Sequence, residues 1–187
     1  MSTRTASPTR RLGAALGAFV AAAAAVLVSP GAAHAGRVHK FSPYFEIRNV
    51  ATGKCLEVAD WSTADRAPVR QWTCTGGANQ QWSNSNYGLL KNLHSGECLD
   101  VPWDSTAWGT QLMQWPCIEP ANPPGQNWRA PGVGRPSPNT VPTSLGLVLD
   151  VYGYDTSDGA PVVTWGANGG DNQLWIGIDP QITLPSF

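Results

Sequence analysis

Charge is scarce in this chain: Asp, Glu, Lys and Arg together make up 13% of its 187 residues. It has three histidines, and beyond residue 35 no apolar run is long enough to span a membrane. Helical periodicity is missing outside the first 35 residues, so a helical bundle is excluded as the main architecture. Scarce histidine narrows the choice of general bases. His34 lies in the N-terminal segment, His39 soon after it, and His94 in a turn-like Leu93-His94-Ser95-Gly96 step. What is abundant instead is tryptophan, nine in all and every one beyond residue 35, spaced by Gly, Pro, Asn, Ser and Thr. Such a composition suits many short strands joined by turns.

Residues 1–35 have the three-part form of a secretory signal peptide: Arg4, Arg10 and Arg11, an apolar stretch from Leu12 to Val28, then Ala33-His34-Ala35. Cleavage after Ala35 would leave 152 residues, enough for one domain with its own core. Residues 36–44 form a short lead-in to that domain. Setting aside the three arginines of the signal leaves nine basic residues against 13 acidic ones, a net charge of −4. That balance predicts no nucleic-acid partner and no anionic membrane surface. The expected location is extracellular.

Four cysteines recur at one spacing, 19 between Cys55 and Cys74 and 19 between Cys98 and Cys117. In an exported chain this predicts two local disulfides, Cys55–Cys74 and Cys98–Cys117, rather than a zinc site. The spacing belongs to a larger repeat. Cys55-Leu56-Glu57-Val58, Trp72-Thr73-Cys74 and Gln80-Gln81-Trp82 are matched by Cys98-Leu99-Asp100-Val101, Trp115-Pro116-Cys117 and Gln126-Asn127-Trp128. A third copy, Val148-Leu149-Asp150-Val151, Trp165-Gly166-Ala167 and Gln173-Leu174-Trp175, keeps the frame with Val148 and Ala167 in place of cysteine. Between these landmarks the turn steps Asp65-Arg66, Trp108-Gly109 and Asp158-Gly159 also correspond, and Arg66 is out of place where glycine is expected. A strained or differently shaped first turn is predicted. Residues 119–124 and the Pro/Gly-rich 131–142 are insertions within this frame, not domain boundaries.

Alternation of Leu56/Val58, Leu99/Val101 and Leu149/Val151 around Glu57, Asp100 and Asp150 predicts half-buried strands with a carboxylate on the outer face. No single unit of roughly 45 residues can bury its own apolar face, so three must close around a pseudo-threefold axis. The fold expected is all-β, a β-trefoil over residues 45–180 with repeats at about 45–84, 87–130 and 143–178.

With these residues in place, the chain resembles the ricin B-type lectins, the family 13 carbohydrate-binding modules, whose mark is a thrice-repeated QxW, here Gln80/Trp82, Gln126/Trp128 and Gln173/Trp175. The resemblance implies core roles for the three QxW tryptophans and carbohydrate as the partner. It implies a site in each repeat, built from the strand carboxylate, the aromatic before the second cysteine position and the Asn-Gln pair opening QxW. The chemistry is suitable, because a pyranose offers an apolar face to an aromatic ring and hydroxyls to carboxylate and amide groups. Asp150, Trp165, Asn172 and Gln173 fit the pattern fully. The first repeat offers Trp72, Asn79 and Gln80 but has Glu57 for Asp. The second has Asp100, Trp115 and Gln126, with Gly125 in place of Asn and Met113 where the family often has Gln, and is ranked last. Trp61, Trp103, Trp108, Tyr152 and Tyr154 follow the carboxylate strands as loop aromatics without an assigned role.

No cofactor, metal or intrinsic catalysis is expected, because the acids recur once per repeat rather than pairing across one cleft as a glycosidase requires. A monomer is expected. The competing reading is a trefoil that binds protein, since a fold does not fix its ligand.

Overall fold

The computed structural model describes residues 42–85, 87–119, 123–133 and 139–180. The signal-peptide reading, most of the lead-in, and parts of both insertions lie outside the described residues. No described helix is long and apolar enough to cross a membrane.

Eleven short strands are described: β1 (Tyr44–Asn49), β2 (Cys55–Val58), β3 (Val69–Trp72), β4 (Gln81–Asn84), β5 (Leu90–Asn92), β6 (Cys98–Asp100), β7 (Thr110–Gln111), β8 (Met113–Trp115), β9 (Val148–Val151), β10 (Val162–Trp165) and β11 (Trp175–Ile178). Their pairing is that of a β-trefoil, as the repeat predicts. A ring runs from β11 through β1 and β4 to β5, and is continued by the bridges Trp128↔Thr143 and Asn139↔Trp175. Three hairpins cap it, one per repeat: β2–β3, β6–β8 and β9–β10. They zip to one another near the axis, where Val69 N–H donates to Leu112 O (2.9 Å) and Leu112 N–H to Val162 O (3.0 Å).

The core is as threefold as the chain. Leu56, Leu99 and Leu149 are fully buried with Trp82, Trp128 and Trp175. Each indole N–H donates to the carbonyl of the leucine in its own repeat, at 3.0, 3.0 and 3.2 Å. A buried tryptophan thereby fills volume and satisfies its own N–H on a strand carbonyl. Both predicted disulfides are formed, with Cα–Cα distances of 5.1 and 5.0 Å, and each ties the open end of its hairpin.

Two local features differ from the simplest reading of the pattern. The carboxylate face of β2, β6 and β9 is not open to water: Glu57, Asp100 and Asp150 are buried along with their apolar neighbours, because the QxW loop folds over them. The turn at Arg66 has the same shape as its sisters rather than a different one. Arg66 takes φ 65° where Gly109 has 80° and Gly159 has 89°, so a side chain is held in the left-handed region that its counterparts reach with glycine.

Candidate carbohydrate site

One polar cluster is built three times. After each carboxylate strand a short 3₁₀ turn carries two successive residues at positive φ: Asp60 and Trp61, Trp103 and Asp104, Gly153 and Tyr154. Five of these six are not glycine, so the strain is maintained at the same place in every repeat. The turn throws residues 61, 104 and 154 back over the segment that precedes QxW.

Beneath it, Gln80, Gln126 and Gln173 are wholly buried. Each side-chain amide donates to the carboxylate of its repeat at 2.8 Å: Glu57 Oε2, Asp100 Oδ2 and Asp150 Oδ2. The other amide hydrogen goes to the carbonyl of Thr73, Pro116 or Gly166, and the amide oxygen accepts from the backbone N–H of Thr75, Ile118 or Asn168. Both amide hydrogens are used within the protein. The glutamines therefore aim the carboxylates.

The third repeat keeps all four residue types of the pattern. Burial raises the Asp150 carboxyl above its ordinary range, opposed by hydrogen bonds from Gln173 and Asn172. Asn172 donates to Val151 O at 3.1 Å, and its Oδ1 is buried without a partner among the described residues. Trp165 is half-buried beside exposed Trp108 and Tyr152, with ring centroids at 5.5 and 6.2 Å. Trp108 comes from the second repeat and lies against Gly166, where a Cβ would meet its ring at 2.5 Å. Two repeats thus form one aromatic surface beside one carboxylate.

In the first repeat the equivalent groups are covered. Glu57 faces Arg70 across the hairpin, and Asp100 and Asp150 face Met113 and Val163 at the same register. Arg70 Nε donates to Glu57 Oε1 at 3.0 Å and Nη2 to Asp60 Oδ1 at 2.9 Å, and the guanidinium lies 4.3 Å from the centre of the Trp72 ring. Glu57 also accepts from Asn79 at 3.3 Å. The acceptor and the stacking ring are both occupied by the chain's own cation.

The second repeat is altered rather than stripped. A Cβ on Gly125 would lie 2.7 Å from Asp104 Oδ1, so the Asp104 carboxylate takes the space of the missing Asn side chain and accepts from the Gly125 N–H at 2.6 Å. Burial pushes the Asp100 carboxyl up to about 6, the Asp104 charge adding to the rise and the Gln126 hydrogen bond opposing it. These acids line a cleft of about 220 Å³ with Trp103, Trp115, Met113 and Arg66.

Arg70, Arg66 and Asp104 are absent from the set read off the sequence. Arg70 was legible in principle, since a cation opposite Glu57 follows from laying the hairpins in register. Asp104 was not, because its place depends on the positive-φ turn. Of the remaining aromatics, Trp61 packs edge-on against His94 at 5.1 Å, and His94 Nε2 lies 2.9 Å from the Trp61 carbonyl. Glu46 clusters with Cys55 and Cys74 within 4.8 Å, but the disulfide leaves no thiolate to bind a metal.

The profile of the ricin-type β-trefoil lectin domain matches residues 43–175. Among solved structures, the designed threefold-symmetric protein ThreeFoil is 35% identical with a TM-score of 0.68, over 74% of this chain and 99% of its own. An exo-β-1,3-galactanase from Clostridium thermocellum is 30% identical with a TM-score of 0.64, over 72% of this chain and 29% of that one. The C-half of the earthworm R-type lectin, solved in complex with GalNAc, shares 24% identity over 72% of this chain and 96% of its own, with a TM-score of 0.59, which is a likeness of fold. With the profile spanning most of the chain and the same fold carrying its motifs in register, this protein belongs to the ricin-type β-trefoil lectin family.

Proposed function

We propose that the mature chain is a secreted, monomeric lectin that recognises sugar residues of poly- or oligosaccharides, chiefly through its third repeat, and catalyses no reaction itself. The observation that supports this most directly is the pairing of a desolvated, amide-aimed Asp150 carboxylate with the Trp165 surface, where no Lys or Arg among the described residues forms an ion pair with that acid. A sugar ring would stack on Trp165 and donate hydroxyl hydrogens to Asp150. Asn172 supports the acceptor from behind, and Gln173 fixes its direction.

One such shallow site favours weak binding of a monosaccharide, on the order of millimolar. A polymer that touches more than one repeat gains from effective concentration. Nucleic acid is disfavoured as a partner by the net charge of −4. Isothermal titration of the mature protein with polysaccharide tests the reading. Asp150→Ala should lower affinity at least tenfold while the chain stays folded, its melting temperature reduced by a few degrees because the buried Gln173 amide loses an acceptor, and an unchanged affinity in a folded variant refutes the assignment. A folded wild-type protein blind to every saccharide on a glycan array would favour a protein partner instead.

A further inference from the structure

Arg66 stands where both sister turns have glycine, at φ 65°, a conformation that costs a non-glycine residue on the order of 1 kcal/mol or more. The place of that turn explains what its side chain reaches. Each turn residue borders the stacking tryptophan of the next repeat: a Cβ on Gly109 would lie 3.4 Å from the Trp165 ring and one on Gly159 would lie 3.7 Å from the Trp72 ring. By the same geometry Arg66 borders Trp115. Its guanidinium lies 5.2 Å from the centre of the Trp115 ring and 5.8 Å from that of Trp103, which is 84% exposed.

The two arginines of this hairpin, Arg66 and Arg70, differ in one respect. Arg70 is paired with Glu57 and Asp60, whereas the Arg66 guanidinium forms no ion pair or hydrogen bond among the described residues. Its planar fork of donors lies near two aromatic rings that line the second repeat's cleft with it. The same cleft is lined by Asp100 and Asp104, each with one oxygen accepting from Gln126 or Gly125 and one without a partner among the described residues. The cleft therefore presents hydroxyl acceptors together with a guanidinium that forms no ion pair with them.

We propose that the second repeat is a site for an acidic saccharide, a pyranose bearing a carboxylate, with Arg66 as the residue that determines this specificity. This rests on the carbohydrate reading above. A hexuronate carries vicinal hydroxyls at one end of the ring and a planar carboxylate at the other, which an arginine fork can engage bidentately. A neutral hexose leaves the guanidinium unused, and an amino sugar brings a second cation against it. The cleft, at about 220 Å³, suits a single ring.

The test uses the mature chain with the third site disabled by Asp150→Ala, titrated with trigalacturonate and with its methyl ester, which keeps ring and linkage but loses the charge. The acid should bind at least tenfold more tightly than the ester. Arg66→Gly in the same background should bring the two to parity while keeping the fold, since glycine adopts this φ freely and a thermal melt should show no loss of stability. Equal affinity for acid and ester before that change, or a preference that survives it, overturns the proposal. If neither ligand binds while the wild-type chain still binds neutral saccharide, the second site is closed and this inference alone fails. If the wild-type chain binds no saccharide, the carbohydrate reading fails and this one with it.

Discussion

Three equivalent corners, where the turn of one repeat meets the hairpin of the next, are filled in three chemically different ways, and one of them is correctable. At the first corner Asp158 accepts from Lys54 Nζ at 2.6 Å and from the Thr73 N–H at 2.7 Å. At the second the corresponding residues are Asp65, Glu97 and Pro116: proline has no N–H to offer, and an acid stands in place of the lysine. The Glu97 carboxyl is pushed up to about 7, by burial first and then by a hydrogen bond to Asp65 and its charge. At the third corner Trp108 packs on Gly166. Glu97→Lys should rebuild the first corner's ion pair at the second. In the native chain Glu97 retains a proton up to about pH 7, whereas the unfolded carboxyl loses it near 4.5. The folded state thus binds more protons across that window, and its stability falls as pH rises through it. Unscreened, a shift of this size corresponds to about 3 kcal/mol; solvent around this partly exposed pair reduces it to about 1 kcal/mol. The new pair adds at most about 1 kcal/mol. Above pH 7 the variant should therefore gain about 1–2 kcal/mol, a rise of roughly 2–8 °C in melting temperature for a domain of this size. The gain should shrink at pH 5, where the acid pair still shares its proton. Calorimetry at pH 5, 6.5 and 8 on wild type, Glu97→Lys and Glu97→Gln reads this directly, the glutamine showing the part due to lost repulsion. A gain independent of pH, or a loss at pH 8 in both variants, refutes the reasoning.

Removing the cation that covers the first site, by Arg70→Gln, should add a second class of binding event in titrations with polysaccharide; an unchanged stoichiometry means that Glu57 cannot serve even when uncovered. Trp175→Ala should cost about 3–5 kcal/mol in denaturant unfolding, since it leaves a large cavity and a bare Leu149 carbonyl. Reducing the two disulfides should lower stability by about 3 kcal/mol for each loop, seen as a melting shift with dithiothreitol, and a shift near zero would contradict their placement at the hairpin ends.

The fold was legible because its determinants repeat. A single Leu-Asp-Val step or a single Gln-x-Trp says little, but three in register tie each indole to a leucine carbonyl of the same repeat, and only a threefold closure accommodates them. The disulfides were legible for the same reason. At the site, the carboxylates and glutamines named from the pattern do come together, because each pair is local to one repeat and joined at 2.8 Å.

What the pattern did not reveal lies where the repeats touch one another or where the backbone leaves ordinary φ. Trp108 joins Trp165, Arg66 joins Trp115 and Asp158 joins Thr73 across repeat boundaries, and a comparison of each repeat with its own copies is blind to such contacts. Asp104 fills the place of an asparagine side chain missing at Gly125, 21 residues further along the chain, by way of two left-handed residues in succession. The consequence is that the three sites diverge through borrowed residues. Asp100, Glu57 and Asp150 are held alike by their glutamines, while the face each offers is set by what a neighbouring strand or turn lays over it: Arg70 across the hairpin at the first, Arg66 from the preceding repeat at the second, and Trp108 from the preceding repeat at the third. A threefold scaffold can in this way keep one means of aiming a carboxylate while the hairpin strand or turn that borders it varies what the carboxylate meets.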